Sequence, residues 1–333
     1  SKNKYERIDN HILLPINEIK QEKYQGFVYN LGIEEDHTYA VNNISVHNCF
    51  NHAMIKNYGK GKGNWVRFRS VERVIDEINK VIKTYGGKFV YFQDDTFTIN
   101  KPWIEKFAKI YKEEVGLPYH CHIRAEHVTE DMAKMLADSG CYSVHMAIEA
   151  ANDHIRINIL KRGMSREEIF KAAKLLNKYG IKMMLQNMVG LPTSTVENDL
   201  ETLKINIKCK PLYAWCSIFQ PYPGIELTEF AGKRGLLEGD YKDISPKFFS
   251  NTVLKMEPNQ KKEMEYLHKW FAVAANYPML YYSGTLRLLM KAPNSKLVKK
   301  TYGWIYQKYR ENRDNKLYGI KIWNKKTKIQ MVN

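Results

Sequence analysis

The stretch KFVYFQDD, residues 88–95, sets the reading of the chain. It is a short run of apolar, aromatic and β-branched residues that stops on two carboxylates. A run this short and this apolar reads as a buried strand. Before it, VERVIDEINKVI (71–82) places Val71, Val74, Ile75, Ile78 and Ile82 on one helical stripe. After it come a helix from about Pro102, a strand YHCHIR (119–124), a helix TEDMAKMLADSG (129–140) and a strand SVHMAIE (143–149). Ser165 with Glu168 reads as an S-x-x-E capping box opening a helix that ends near Gly180. Ser194 with Glu197 reads as the same device after the strand KMMLQNMVG (182–190), and LYAWCSIFQ (212–220) is the last strand.

Strands alternating with helices at this spacing imply parallel β/α units. Five strands after Ser70 are too few for a complete eight-unit barrel. A doubly wound sheet stays open, but no G-x-G-x-x-G follows a strand, which disfavours a dinucleotide fold. In parallel barrels chemistry gathers where strands end. Those ends carry Asp94 and Asp95, Arg124, Glu149, Gln186 with Gly190–Pro192, and Gln220. Polar groups recurring there mark a site.

A chain of 333 residues suits one large domain with appendages. Hydrophobic content of 44% and aromatic content of 12% fit a folded chain. No run of about 18 apolar residues exists, so no membrane span is expected. The polar N-terminus has no signal-like apolar core. It also lacks an initiator Met, as expected of a processed or truncated piece. Five widely spaced cysteines suggest free thiols in a reducing, cytoplasmic setting. Cys121, Cys141, Cys209 and Cys216 read as small buried apolar residues, too scattered for a second cluster. His120 and His122 share a strand face, but with no third ligand near them or His127 in sequence, no metal is expected there. The net charge of +16 is local: from Asn259 onward there are 16 Lys/Arg against 4 Asp/Glu. A solvated basic, helical surface, able to touch polyanions, is the expectation.

Two family resemblances meet at Cys49. FNHAM…VRFRSVERVIDEI, FVYFQDDTFT, IRAEHVTEDMAKMLADSGC, VHMAIEAAND…LKRGMS and MVGLPTST follow one another from residue 50. Together they resemble a radical S-adenosylmethionine (SAM) enzyme of the subgroup with an N-terminal cobalamin-binding domain. The resemblance implies a partial (β/α)6 TIM-like barrel with one strand upstream. It also implies a 4Fe–4S cluster held by C-x3-C-x2-C thiolates, with SAM on the open iron, reduced to give a 5′-deoxyadenosyl radical. Cys49 stands third in that motif and is the implied metal ligand. Position 46 is Val and position 42 is Asn, so two of the three ligands are absent. The implied cofactor-binding residues are Asp94, Asp95, Glu149, Arg162 (a carboxylate clamp), Gln186, Gly190 and Pro192. A flavodoxin or ferredoxin is the implied electron donor, and an upstream domain would supply any cobalamin.

The second resemblance accounts for the missing cysteines. GFVYNLGIEEDHTYAVNNISVHN (26–48), followed by Cys49, is similar to the C-terminal end of an intein. In that reading Cys49 is the acceptor nucleophile and Asn48 cyclises on its own carbonyl. His47 protonates the leaving amine, and His37 polarises the Asn amide. Asn30 stands where the family often has Asp, which bears on how the two cleavages are coupled. The implied partner is an N-terminal intein half whose extein carries the first two cluster cysteines. The expected organisation is thus an all-β intein segment at 1–48, a radical SAM core at 49–225 and a basic helical region at 226–333. The mature substrate is not read from sequence. The rivals are a radical methylthiotransferase acting on RNA or protein, and a basic nucleic-acid-binding protein with an inert barrel.

Overall fold

Each strand of the main sheet lies beside the strand that precedes it in sequence. The computed structural model describes residues 6–8, 11–13, 68–222, 225–239 and 252–318. The chain divides into two units, residues 1–39 and 40–333. In the first unit β1 (Glu6–Ile8) and β2 (His11–Leu13) pair antiparallel. In the second, β3 (Val90–Tyr91), β4 (Tyr119–Ile123), β5 (Cys141–Glu149), β6 (Lys182–Val189) and β7 (Tyr213–Ile218) form one parallel sheet in that order. Connections that always step the same way with the same hand lay their helices on a single face. A doubly wound sheet would reverse its strand order at a switch point, and this one does not. The product is a curled half-barrel, the partial TIM-like architecture expected.

The crossover helices are α1 (Val71–Tyr85), α2 (Lys101–Glu114), α3 (Glu130–Asp138), α4 (Arg166–Lys178) and α5 (Val196–Cys209). Strand alternation sorts the two sheet faces. Cys121, Val144, Met146, Ile148, Met183 and Leu185 pack outward with Ile104, Phe107, Leu136 and Ile169 of the helices. On the same strands His120, His122, Ser143, His145, Glu149 and Gln186 are also buried, and by alternation they share the concave face. Helices α6 (Glu226–Lys233), α7 (Pro258–Asn276), α8 (Met279–Tyr282), α9 (Thr285–Met290) and α10 (Lys296–Leu317) make the region after β7 helical, as expected. Helix α7 packs on the outer face of β7 through Leu267 and Phe271. Leu317 of α10 closes on Met184 and Tyr213. No described helix is long and apolar enough to cross a membrane.

Two details differ from the sequence reading. The strand expected over 88–95 is only Val90–Tyr91, because the chain turns away after Phe92 N–H bonds His120 C=O. The box expected at Ser194 and Glu197 falls one residue later. Thr195 caps α5 and exchanges hydrogen bonds with Asn198. Ser194 Oγ is instead drawn to the buried Asp199 carboxylate at 2.9 Å, and Glu197 faces outward to Arg287. The Ser165–Glu168 box is present as read.

The segment from β5 to α4 is organised by Arg156, which is wholly buried and sits in a π-helical turn, His154–Ile159. Its Nε donates to Met164 C=O at 2.9 Å. Nη1 donates to the carbonyls of Ala150 and Ala151 at 3.1 and 2.7 Å, and Nη2 pairs with Asp153. One fork thus ties both ends of the loop. Arg156→Met would leave those carbonyls buried without a donor. We predict a loss of several kcal/mol, at about 1–3 kcal/mol for each buried carbonyl left without a donor. Urea denaturation would read it as a lowered midpoint; an unchanged midpoint would remove Arg156 from this role.

Candidate cofactor site at the strand ends

Glu149 ends β5 in an unusual backbone state. Its φ is +66°, and Ala150 N–H reaches back to Ile148 C=O at 2.9 Å. This three-residue closure with positive φ is the rarer, strained form of γ-turn. For a non-glycine residue such strain costs roughly 1–3 kcal/mol and gathers at functional sites. The β5–β6 register also slips between Ala147 and Glu149. Together the bulge and the turn fix where the carboxylate points.

The carboxylate is buried at 4% exposure. Arg162 Nη2 lies 3.1 Å from Oε1 as an ion pair, at an angle too oblique for a hydrogen bond, since Nη2 has no such partner. Nη1 of the same arginine holds Ala147 C=O at 3.2 Å. Gln186 Nε2, from the neighbouring strand, stands 3.5 Å from Oε1, the outer limit of a hydrogen bond. Oε2 is buried and has no hydrogen-bond partner among the described residues. Burial pushes the Glu149 carboxyl above its usual range, and the Arg162 guanidinium pulls it part of the way back. A buried carboxylate oxygen without a donor is costly, so this site fits a ligand that brings N–H or O–H groups.

The structure brings Glu149 and Gln186, two of the strand-end residues, together with Arg162. Asp94 and Asp95 lie exposed in the turn after β3, with β4 between them and β5. At about 4.8 Å per strand that is roughly 10 Å of lateral separation. Gly190 and Pro192 are buried at the end of β6. Gly190 has φ +66°, and a Cβ there would meet Met264 Sδ at 2.5 Å, so no larger residue fits. Its N–H is taken by Asp199 Oδ2 at 3.1 Å. His37, His47, Asn48 and Cys49 lie outside the described residues.

Sequence reasoning missed Arg156 and Asp199, which shape the loops that carry the site. Both look like ordinary helix-surface charges in sequence; burial is what gives them away. The four described cysteines are buried free thiols, as read.

Fold and site together define a parallel β/α half-barrel with a buried polar cluster at its strand ends. Residues 47–205 match the model of the radical SAM superfamily. The chain is 33% identical over 172 residues to an uncharacterized methyltransferase, PH0819, of Pyrococcus horikoshii, covering 51% of this chain and 37% of the relative. It is 26% identical over 171 residues to an anaerobic magnesium-protoporphyrin IX monomethyl ester cyclase of Rubrivivax gelatinosus, covering 50% and 31%. A solved structure of the radical SAM methyltransferase TsrM from Kitasatospora setae, with cobalamin and a [4Fe–4S] cluster, aligns over 52% of this chain and 33% of its own. That alignment has a TM-score of 0.45 at 16% identity. The chain spans about a third of the length of the curated relatives it matches.

Asp199 supplies a test of the loop that follows β6. Burial pushes its carboxyl up to about 7, against the opposing pull of the Ser194 hydroxyl and the Gly190 N–H. The folded state therefore holds this proton more tightly than the unfolded chain does. Its stabilising contribution is complete below about pH 4 and is lost as pH rises through about 7. Asp199→Asn should flatten this dependence. Urea midpoints across that window would differ in slope between the two chains; equal slopes would exclude Asp199 as the source.

Proposed function

We propose that the mature product of this chain is a radical SAM enzyme and that Glu149 helps hold the cofactor. The observation that carries the reading is the Glu149 carboxylate, strained, buried and with one oxygen lacking a donor, inside the stretch that matches the superfamily. When bound at a reduced 4Fe–4S cluster, SAM supplies reductive carbon–sulfur cleavage and so radical chemistry. Glu149 accepts hydrogen bonds from the amino or ribose hydroxyl groups of the cofactor. Arg162, itself tied to Ala147 C=O, pairs with that carboxylate and counters part of the upward push of burial, and Gln186 limits its rotation. Asp199 holds the Gly190–Pro192 segment in place at the end of β6 through the Gly190 N–H. Asp94 and Asp95 contact the cofactor from the far side of β4. Cys49 is one cluster ligand. The methyltransferase names among the relatives favour methyl transfer, cobalamin-dependent or not, on a substrate still to be found.

Glu149→Gln keeps the shape and removes the charge. A hydrogen bond to a charged group is worth about 1.5–3 kcal/mol. We predict SAM binding weakened roughly 10–100-fold in the mature enzyme, with circular dichroism unchanged. Equal affinity for SAM in the two proteins would dismiss Glu149 as a cofactor ligand.

Residues 1–48 we read as the C-terminal segment of an intein, followed by a C-extein core at 49–225 and a helical region at 226–333. The support is the HN–C junction at 47–49, which coincides with the place where the cluster motif is interrupted. Cys49 accepts the upstream acyl group on its sulfur; Asn48 cyclises on its own carbonyl, breaking the bond to Cys49 and freeing residues 1–48; the acyl group then moves from the Cys49 sulfur to the freed amine, with His47 and His37 assisting the Asn step. Supplied with a matching N-terminal half, the chain should lose residues 1–48. Asn48→Ala should stall at the branched species, since no other side chain there can cyclise. His47→Ala should slow release by about 10²–10⁴-fold, the usual worth of a general acid. Mass spectrometry of the released peptide, which ends in a succinimide, reads the outcome. Normal ligation from the Asn48→Ala chain would show that this is not an intein junction.

A further inference from the structure

Below the strand-end pocket, the concave face carries a second cluster of ligating groups. His122 of β4 and His145 of β5 are register partners. His120 lies two residues before His122 on the same face. One ring nitrogen from each of the three lies within 4.8 Å of the other two. All three are buried, His120 completely and the others at 8% exposure. The rings of His122 and His145 stand 4.8 Å apart, and those of His120 and His122 5.8 Å apart.

His120 gives the strongest sign of a ligand. Its Nδ1 hydrogen-bonds Ser143 Oγ at 2.8 Å. With Nδ1 as the donor, Nε2 presents a bare lone pair, and that nitrogen is buried with no hydrogen-bond partner among the described residues. This is the arrangement of a metal-bound histidine: one nitrogen anchored to a neighbouring group, the other left to the ion. A fourth donor is at hand, since Tyr91 Oη lies 3.0 Å from His122 Nε2. Tyr318 covers the cluster, with ring centroids 5.2 Å from His120 and 5.5 Å from Tyr91.

We propose that His120, His122 and His145 form a buried site for a divalent transition metal of borderline softness, zinc being the best match, with Tyr91 as the nearest fourth donor. Three imidazoles and a phenol suit zinc over a hard oxygen-seeking cation. A tetrahedral zinc with bonds of about 2.1 Å holds nitrogens roughly 3.4 Å apart. Binding would therefore draw the rings together by up to about 1.4 Å, a side-chain adjustment. His145 precedes Glu149 by four positions on β5, or roughly 13 Å along the strand. The ion is thus separate from the strand-end pocket and bridges β4 to β5 beneath it. The proposal does not depend on the cofactor reading above.

The test uses the untagged, metal-free full chain, titrated anaerobically with Co²⁺ and then competed with Zn²⁺. The expected result is one equivalent of Co²⁺ bound, with the intense visible bands of a four-coordinate ion and no thiolate-to-cobalt charge transfer. Zinc should displace it and raise the melting temperature. His122→Ala and His145→Gln should each weaken binding by more than about 100-fold, and Ser143→Ala by about 10–100-fold through loss of the anchoring group. His145→Gln preserves size and polarity, so it carries the test if His122→Ala does not fold. Absence of stoichiometric binding would overturn the site. So would a thiolate charge-transfer band that survives the histidine changes, which would assign the metal to cysteine.

Discussion

The buried guanidinium of Arg156 is the constraint on which the strand-end pocket depends. Between β5 and α4 the chain must leave the sheet, turn and re-enter as a helix, and it does so with little regular hydrogen bonding. The backbone carbonyls of that passage would be orphaned in a dry environment. Arg156 answers three of them with one rigid fork and neutralises its own charge on Asp153. Its backbone carbonyl in turn accepts the N–H of Arg162 at 2.9 Å. The arginine that pairs with Glu149 is therefore seated by the arginine that closes the loop. A planar group with five donors in fixed directions can do this, and a lysine cannot.

Much of this architecture is legible in the sequence. All five strands and the helices between them follow from apolar runs, periodicity and capping residues, because parallel β/α units bury both faces of each strand and write that burial into composition. The strand-end rule then picks out Glu149 and Gln186 before any coordinates. What local sequence does not encode is distance across the sheet. The sequence places Asp94 and Asp95 at a strand end as plausibly as Glu149, yet strand order sets them apart. The third histidine beside His120 and His122, His145, is on the next strand and more than twenty residues away in sequence. Ser194 resembles a helix cap until Asp199, folded back beneath it, proves the stronger acceptor.

The concave face emerges as two polar layers with different chemistry. The upper one, with Glu149 and Arg162, is a charged pair held under backbone strain, suited to a ligand that comes and goes. The lower one holds three histidines and a tyrosine and is lined by aromatic rings. Placing the charge at the strand ends and the imidazoles deeper follows solvation: an ionised carboxylate pays heavily for depth, and a neutral ring does not.

The closure of that lower layer by α10 has a consequence for how the protein comes to exist. Leu317 and Tyr318 supply the apolar cover for Met184, Tyr213, Tyr91 and His120, residues made long before them. During synthesis these four residues must wait for that cover while the rest of the chain leaves the ribosome. Contacts of such wide sequence separation form late and slowly, and an exposed half-barrel is the kind of intermediate that sticks to its neighbours. The half-barrel thus reaches its finished state only after translation has passed α10, and its yield in a cell should be governed by how well that waiting surface is shielded.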